Sequence, residues 1–321
     1  MESIDRFHRY TRGIEPPPPS DPLDPLPVGF RERFVFSSGV RLHLVEAGPE
    51  SGPPVVLLHG FPDFWWSWRH LMPALAGAGF RAVAPDLRGY ARSDKPRGLG
   101  AYRIDRLAGD LRALLDDLSP EPLPVIAHDW GGAVAWWGAL LFPERIERLA
   151  LLNIPHPVVY RRALRNDRDQ RRRARYVLYF QLPWLPERKL RSEQFRALRR
   201  MLRRMSREGT FTDADLERYV AAWARPGAVT GMLAWYRAAF RRPPPRPPTT
   251  MVAPPVKIVW GMDDTALSPA LVDPSAALCR DVDVERLSDA GHWVHLDQPE
   301  HVHALLLDFL ASKPVRSGAR P

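Results

Sequence analysis

Asp129 stands where a chain places a nucleophile. It is the centre of Pro124-Val125-Ile126-Ala127-His128-Asp129-Trp130-Gly131-Gly132-Ala133-Val134-Ala135, which reads as a short apolar strand, a turn with small residues on both sides of one reactive side chain, and a helix. A strand-to-helix turn of this kind holds its central side chain clear of the backbone. With serine at the centre the chemistry would be acyl transfer from a substrate. A carboxylate instead attacks an electrophilic sp3 carbon in line, expels oxygen or halide, and is left as an alkyl ester on the protein. The carbonyl that must then be hydrolysed belongs to the enzyme itself.

His59-Gly60-Phe61-Pro62 closes an earlier apolar run, Pro54-Val55-Val56-Leu57-Leu58. A glycine followed by X-Pro fixes a sharp loop, with a cis Phe61-Pro62 bond expected, and leaves the Phe61 amide directed into a cleft. Such a string alone is an ordinary turn. Ahead of an aspartate elbow it gains a purpose, because neighbouring parallel strands bring together the loops at their carboxyl ends. The Phe61 and Trp130 amides are then the two halves of an oxyanion hole. This chemistry calls for no metal and no cofactor, and none is expected.

Positioning these groups takes alternating strands and helices. Arg33–Phe36 and Val40–Val45 read as an antiparallel hairpin at a sheet edge. Pro54–Leu58 has the continuous apolar character of a buried parallel strand. Phe64–Ala78 reads as a helix, Phe80–Ala84 as a strand, and Asp105–Leu118 as a helix with Leu107, Leu111, Leu114, Leu115 and Leu118 on one face. The elbow helix runs to Leu141 and Ile146–Leu152 is another strand, a rhythm that predicts an α/β fold with a doubly wound, mostly parallel sheet. The rhythm breaks at Asn153-Ile154-Pro155-His156-Pro157. It resumes after Pro243–Pro248 with a strand at Val256–Trp260, a helix from Pro269 to Leu278, a strand at Val284–Leu287 and a helix at Pro299–Leu310. The expected organisation is an extended proline-rich arm over residues 1–27, a core at 28–153 and 249–312, an inserted helical cap at 154–248 over the sheet's active edge, and a tail at 313–321.

With these motifs placed, residues 30–312 resemble the α/β-hydrolase superfamily and, within it, the epoxide hydrolases of the soluble type. The resemblance is carried by His59-Gly60-Phe61-Pro62, His128-Asp129-Trp130-Gly131-Gly132, Trp260-Gly261-Met262-Asp263-Asp264 and Gly291-His292-Trp293. Two further motifs carry it in the cap, Tyr176-Val177-Leu178-Tyr179-Phe180-Gln181-Leu182-Pro183 and Met232-Leu233-Ala234-Trp235-Tyr236-Arg237. The family order of nucleophile, acid and histidine implies Asp129, Asp264 and His292, with Asp263 as the competing acid. The cap motifs imply that Tyr176 and Tyr236 protonate the departing epoxide oxygen, with Tyr179, one helical turn from Tyr176, as the competing donor. A phenol stays protonated at neutral pH and suits that task. His292, oriented by Asp264, would take a proton from the water that attacks the Asp129 ester.

The implied activity is conversion of an epoxide to a vicinal diol. The alternative is a haloalkane or haloacid dehalogenase with the same Asp-His-Asp set, since halide leaves without a proton donor and the Trp130 indole suits a halide pocket. Trp130, His156, Tyr179, Leu182 and Trp184 are the candidate substrate contacts, and the many aromatic residues favour a small, largely apolar epoxide.

Composition narrows the rest. A chain of 321 residues, 45% hydrophobic and 26% charged, suits a soluble globular protein of one or two domains. The single cysteine, Cys279, excludes an internal disulfide. The N-terminus has no apolar core of signal-peptide type, and runs such as Ala133–Phe142 are too short to span a bilayer, so a cytoplasmic location without membrane insertion is expected. The net charge of +9 invites a nucleic-acid reading. The arginines between 161 and 207, however, interleave with Leu190, Leu198, Met201 and Leu202 at helical spacing, the pattern of a solvated helix face. No nucleic-acid partner is expected; an anionic partner for the basic cap is the remaining alternative. His59, His128 and His295 read as structural, and nothing here speaks to oligomeric state.

Overall fold

In a computed structural model of the chain the described residues are Leu23 and 25–312. The proline-rich arm lies mostly, and the tail at 313–321 entirely, outside them. One eight-stranded sheet organises the rest: β1 (Phe30–Ser37), β2 (Val40–Ala47), β3 (Pro54–Leu58), β4 (Arg81–Pro85), β5 (Leu123–His128), β6 (Ile146–Leu152), β7 (Val256–Gly261) and β8 (Val282–Leu287). The spatial order is β1-β2-β4-β3-β5-β6-β7-β8. β1 and β2 form the antiparallel hairpin, β2 joins β4 antiparallel, and every later pair is parallel. β5 and β7 are buried along their whole length, as continuous apolar runs inside a parallel sheet must be, whereas the edge strand β8 is mostly half-exposed.

The first core helices are α1 (Leu71–Gly77), α2 (Ile104–Leu118) and α3 (Asp129–Leu141). The helix expected over Phe64–Ala78 is broken, with a 3-10 turn at Trp65–Trp68 ahead of α1. Pro73 explains the break: its ring lacks an N–H and collides with the carbonyl four residues back, that of Arg69, so one continuous helix cannot pass through.

Between β6 and β7, residues 154–248 contain no strand and form six helices: α4 (Pro157–Asn166), α5 (Arg168–Arg173), α6 (Arg175–Phe180), α7 (Leu185–Arg204), α8 (Asp213–Ala224) and α9 (Ala228–Arg241). α7 is interrupted at Ser192–Phe195, where three successive residues take positive φ. α10 (Val272–Ala276), α11 (Val294–Asp297) and α12 (Pro299–Ala311) complete the fold. The helix expected from Pro269 is again divided, and Pro274 gives the same reason as Pro73.

The helical insertion is bonded to the loops that leave the carboxyl ends of the strands. Trp223 Nε1 donates to Pro62 O (2.6 Å), Tyr219 Oη to Asp63 Oδ1 (3.0 Å) and Trp235 Nε1 to Arg88 O (2.9 Å). Arg173 Nη1 donates to Asp264 O (2.6 Å). β3 has β4 on one side and β5 on the other, so successive crossovers leave it in opposite directions. In sheets of this kind such a switch point, here at the carboxyl ends of β3 and β5, is the place where ligands bind.

Candidate active site

Asp129 is the first residue of α3 and has φ +47°, a left-handed conformation that is strained for any side chain but glycine. Its neighbours explain why the turn persists. A Cβ at Gly131 would overlap the carbonyls of Leu58 and His59, and one at Gly60 would overlap the Asp129 side chain. Only glycine lets the β3 loop and the elbow approach this closely. The consequence is a short bond: the Phe61 amide donates to Asp129 Oδ1 at 2.8 Å, next to a cis Phe61-Pro62 peptide. The Trp130 amide lies in the first turn of α3, among the N–H groups that have no intrahelical partner.

The other oxygen, Asp129 Oδ2, faces His292 Nε2 at 3.6 Å. His292 comes from the loop after β8, and its Nδ1 bonds Asp264 Oδ2 at 2.7 Å. Asp264, in the loop after β7, also accepts from the amides of Ala266 (2.7 Å) and Leu267 (2.9 Å). Asp263, the competing acid, is exposed and does not meet the histidine; the chain turns at Gly261, so only one of the two adjacent carboxylates points inward.

Charge in this group is strongly coupled. Burial opposes a charged imidazole at His292, but Asp264 and Asp129 outweigh it and raise the histidine to about 10. Burial likewise opposes ionisation of Asp129, and His292 together with the Phe61 amide overcomes it, leaving the carboxyl below its usual range. Asp264 is buried too, and His292 with its hydrogen-bond donors lowers it. All three shifts run toward the charged form, two carboxylates and an imidazolium.

An aromatic group gathers beside Asp129, built on Phe61, whose amide bonds it, and on Trp130, which follows it in the chain. Tyr236 on α9 packs edge-on against Phe61, Trp130 and Phe180, each with ring centroids 5.1 Å away, and Tyr176 on α6 lies 5.9 Å from it. Burial pushes both phenols well above their ordinary value, and Asp129 contributes to both shifts. They remain proton donors.

Four of the candidate contacts sit elsewhere. Tyr179 is on the outer side of α6 and donates through its hydroxyl to Leu185 O at 3.3 Å, because Tyr176 and Phe180, four residues apart, take the inner face. Leu182 and Trp184, in the turn after α6, point to solvent. His156 is fully buried under the insertion: its Nδ1 accepts from the Val158 amide as the cap of α4, its ring packs on Trp136 at 5.0 Å, and burial lowers it to about 4. Of the candidate contacts, Trp130 is the one in the aromatic group. His59 is a loop fastener, with Nδ1 donating to Gly60 O and Nε2 accepting from the Leu87 amide.

Two residues that support Asp264 and His292 escaped the sequence reading. Asn153 ends β6 with φ +43°, a conformation asparagine tolerates. Its Nδ2 donates to Asp264 Oδ2 (2.8 Å) while its Oδ1 accepts from the Gly261 amide (2.9 Å), fixing the acid loop. A polar residue at the carboxyl end of a buried strand was the available signal. Asp297 had none. It accepts from the Gly291 amide (2.7 Å), the Arg207 amide (3.0 Å) and Thr210 Oγ1 (2.7 Å), and so ties the His292 loop to the insertion between α7 and α8. The His292 amide donates to Met205 O (2.9 Å) across the same seam. Asp297→Ala would strand the buried Gly291 amide and leave the two part-buried donors to water; at about 1–3 kcal/mol for a buried unsatisfied group, the expected loss is roughly 1–3 kcal/mol, seen as a lower urea midpoint at unchanged slope.

Residues 53–299 match the family described as alpha/beta hydrolase fold. The AB hydrolase superfamily protein YfhM of Bacillus subtilis is 40% identical over 285 residues, covering 89% of this chain and 99% of that protein. Epoxide hydrolase 2 of Caenorhabditis elegans is 34% identical over 286 residues, 88% of this chain and 80% of that one. Among solved structures, an epoxide hydrolase of Bacillus megaterium in complex with an inhibitor superposes with a TM-score of 0.80 at 31% identity, over 87% of this chain and 100% of that one. An Epoxide Hydrolase A from Mycobacterium thermoresistibile does so with a TM-score of 0.75 at 33% identity, over 88% and 98%. The chain is a hydrolase of the α/β-hydrolase fold and belongs, within that superfamily, to the epoxide hydrolase family.

Proposed function

We propose that the enzyme opens an epoxide by attack of Asp129 Oδ2 and releases a vicinal diol after hydrolysis of the resulting ester. The observation that carries this reading is the pair of phenols, half-buried Tyr176 and buried Tyr236, gathered with Trp130 and with Phe61, whose amide bonds Asp129. An alkoxide leaving group needs a proton, and two unionised phenols in an apolar enclosure supply it. The helical insertion thus acts as a cap that brings the acid to the base of the sheet.

The two carboxylate oxygens have different tasks. Oδ1, already 2.8 Å from the Phe61 amide, stays as the carbonyl oxygen, and Oδ2 becomes the ester oxygen. Water then attacks Cγ, negative charge builds on Oδ1 between the Phe61 and Trp130 amides, and collapse expels the diol. Electrostatics times the steps. Before ring opening, Asp264 and Asp129 favour the protonated form of His292, raising it to about 10. Esterification removes the Asp129 charge that helps to hold it there, so the imidazole becomes a base once there is an ester to hydrolyse. The apolar lining of aromatic rings favours a largely apolar substrate.

The dehalogenase reading has one feature in its favour, the Trp130 indole beside the nucleophile. Incubating the enzyme with aryl, alkyl and fatty epoxides, and in parallel with haloalkanes, separates the two: diol from at least one epoxide without halide release is expected. Halide release without diol formation would overturn the proposal.

A further inference from the structure

We propose that the helical insertion docks on an anionic lipid surface through the turn between α6 and α7. Residues 154–248 contain 23 of the chain's 46 lysines and arginines but only 8 of its 37 aspartates and glutamates. The remainder of the chain is acidic on balance, so the net positive charge of the protein comes from the insertion. The same segment carries an exposed apolar cluster. Trp184 is 66% exposed and Leu178 64%, with Tyr179, Leu182 and Leu185 beside them. Isolated exposed apolar residues are normal on a protein surface; five within eight positions are not.

The turn is built rather than loose. The buried guanidinium of Arg237 donates to Phe180 O (2.9 Å) and Leu182 O (2.6 Å) and pairs with Glu187, while Arg241 bonds Gln181 O. α6 therefore has two working faces: Tyr176 and Phe180 turn inward to the aromatic group, and Leu178 and Tyr179 turn outward. Exposed Arg175 and Arg188 flank the turn in the chain and exposed Arg242 follows Arg241, which bonds the turn; among the described residues none of the three has an ion-pair partner. An indole and leucines ringed by unpaired arginines match the boundary of a bilayer, where apolar side chains enter the acyl region and each cation near the surface gains from anionic headgroups. A second copy of this chain is a poor occupant, because it would bring the same positive charge to the contact. The docking does not depend on which reaction the site performs.

The test is sedimentation of the full chain with phosphatidylcholine vesicles with and without phosphatidylglycerol. Binding is expected only to the anionic vesicles and is expected to be lost at high salt. Leu178→Ser with Trp184→Ser should weaken it at least about tenfold, in keeping with the burial of large apolar side chains. Arg175→Glu with Arg188→Glu should do the same, while both variants keep the wild-type circular dichroism. No binding to anionic vesicles would overturn the proposal, as would binding indifferent to the apolar pair, which is adsorption of a basic protein. A concentration-dependent dimer abolished by the Leu178 and Trp184 changes would also overturn it and assign the patch to a second copy.

Discussion

Asp129→Ala is expected to reduce epoxide turnover by at least about 10^4-fold, a loss of ~5.4 kcal/mol of transition-state stabilisation. No other carboxylate can stand in. Asp264 is held by two amides and Asn153 on the far side of the imidazole, and Asp63 is occupied by Tyr219 and Trp293. The fold should tolerate the change, because the side chain packs into no core and the strained φ is borne by the elbow whichever non-glycine residue occupies it. Initial rates of diol formation, corrected for uncatalysed hydrolysis, read this directly. Activity above about a hundredth of wild type would mean that the nucleophile lies elsewhere.

Tyr176→Phe with Tyr236→Phe should lower ring opening by about 10^3–10^4-fold, the range general acid catalysis contributes. Each single change should cost less, since the partner phenol remains within the same aromatic group. Phenylalanine keeps the edge-on packing against Phe61, Trp130 and Phe180, so the loss would report on the hydroxyl alone. Single-turnover decay of a substrate epoxide is the measurement. If the double variant opens epoxides at near the wild-type rate, the proton comes from another donor.

The site was legible wherever backbone geometry leaves a mark on residue type. The glycines around Asp129 are demanded by the approach of the β3 loop and the elbow, so Gly60 and Gly131 signal the turn before any coordinates exist. The buried strands announce themselves as unbroken apolar runs. Orientation within the insertion was less legible. α6 has only six residues, too few for its pattern to set the phase, and packing against α9 decides that Tyr176 faces in and Tyr179 out. Leu182 and Trp184 read as pocket residues by composition, yet the turn held by Arg237 sends them to the surface. Asp297 acts largely through backbone amides, one of them from a segment far away in the chain. Such bonds have no sequence motif, since an amide donor is present at nearly every residue.

The covalent ester is the central claim, and one measurement addresses it most directly. His292→Gln removes the base that the second step needs while leaving Asp129, the oxyanion amides and both phenols in place. The variant incubated with an epoxide that the wild type converts, then analysed by intact-protein mass spectrometry, should gain the mass of one epoxide, and peptide mapping should find the gain on Asp129. An unmodified mass in a variant that consumes no epoxide, or continued diol release without an adduct, would contradict the two-step mechanism.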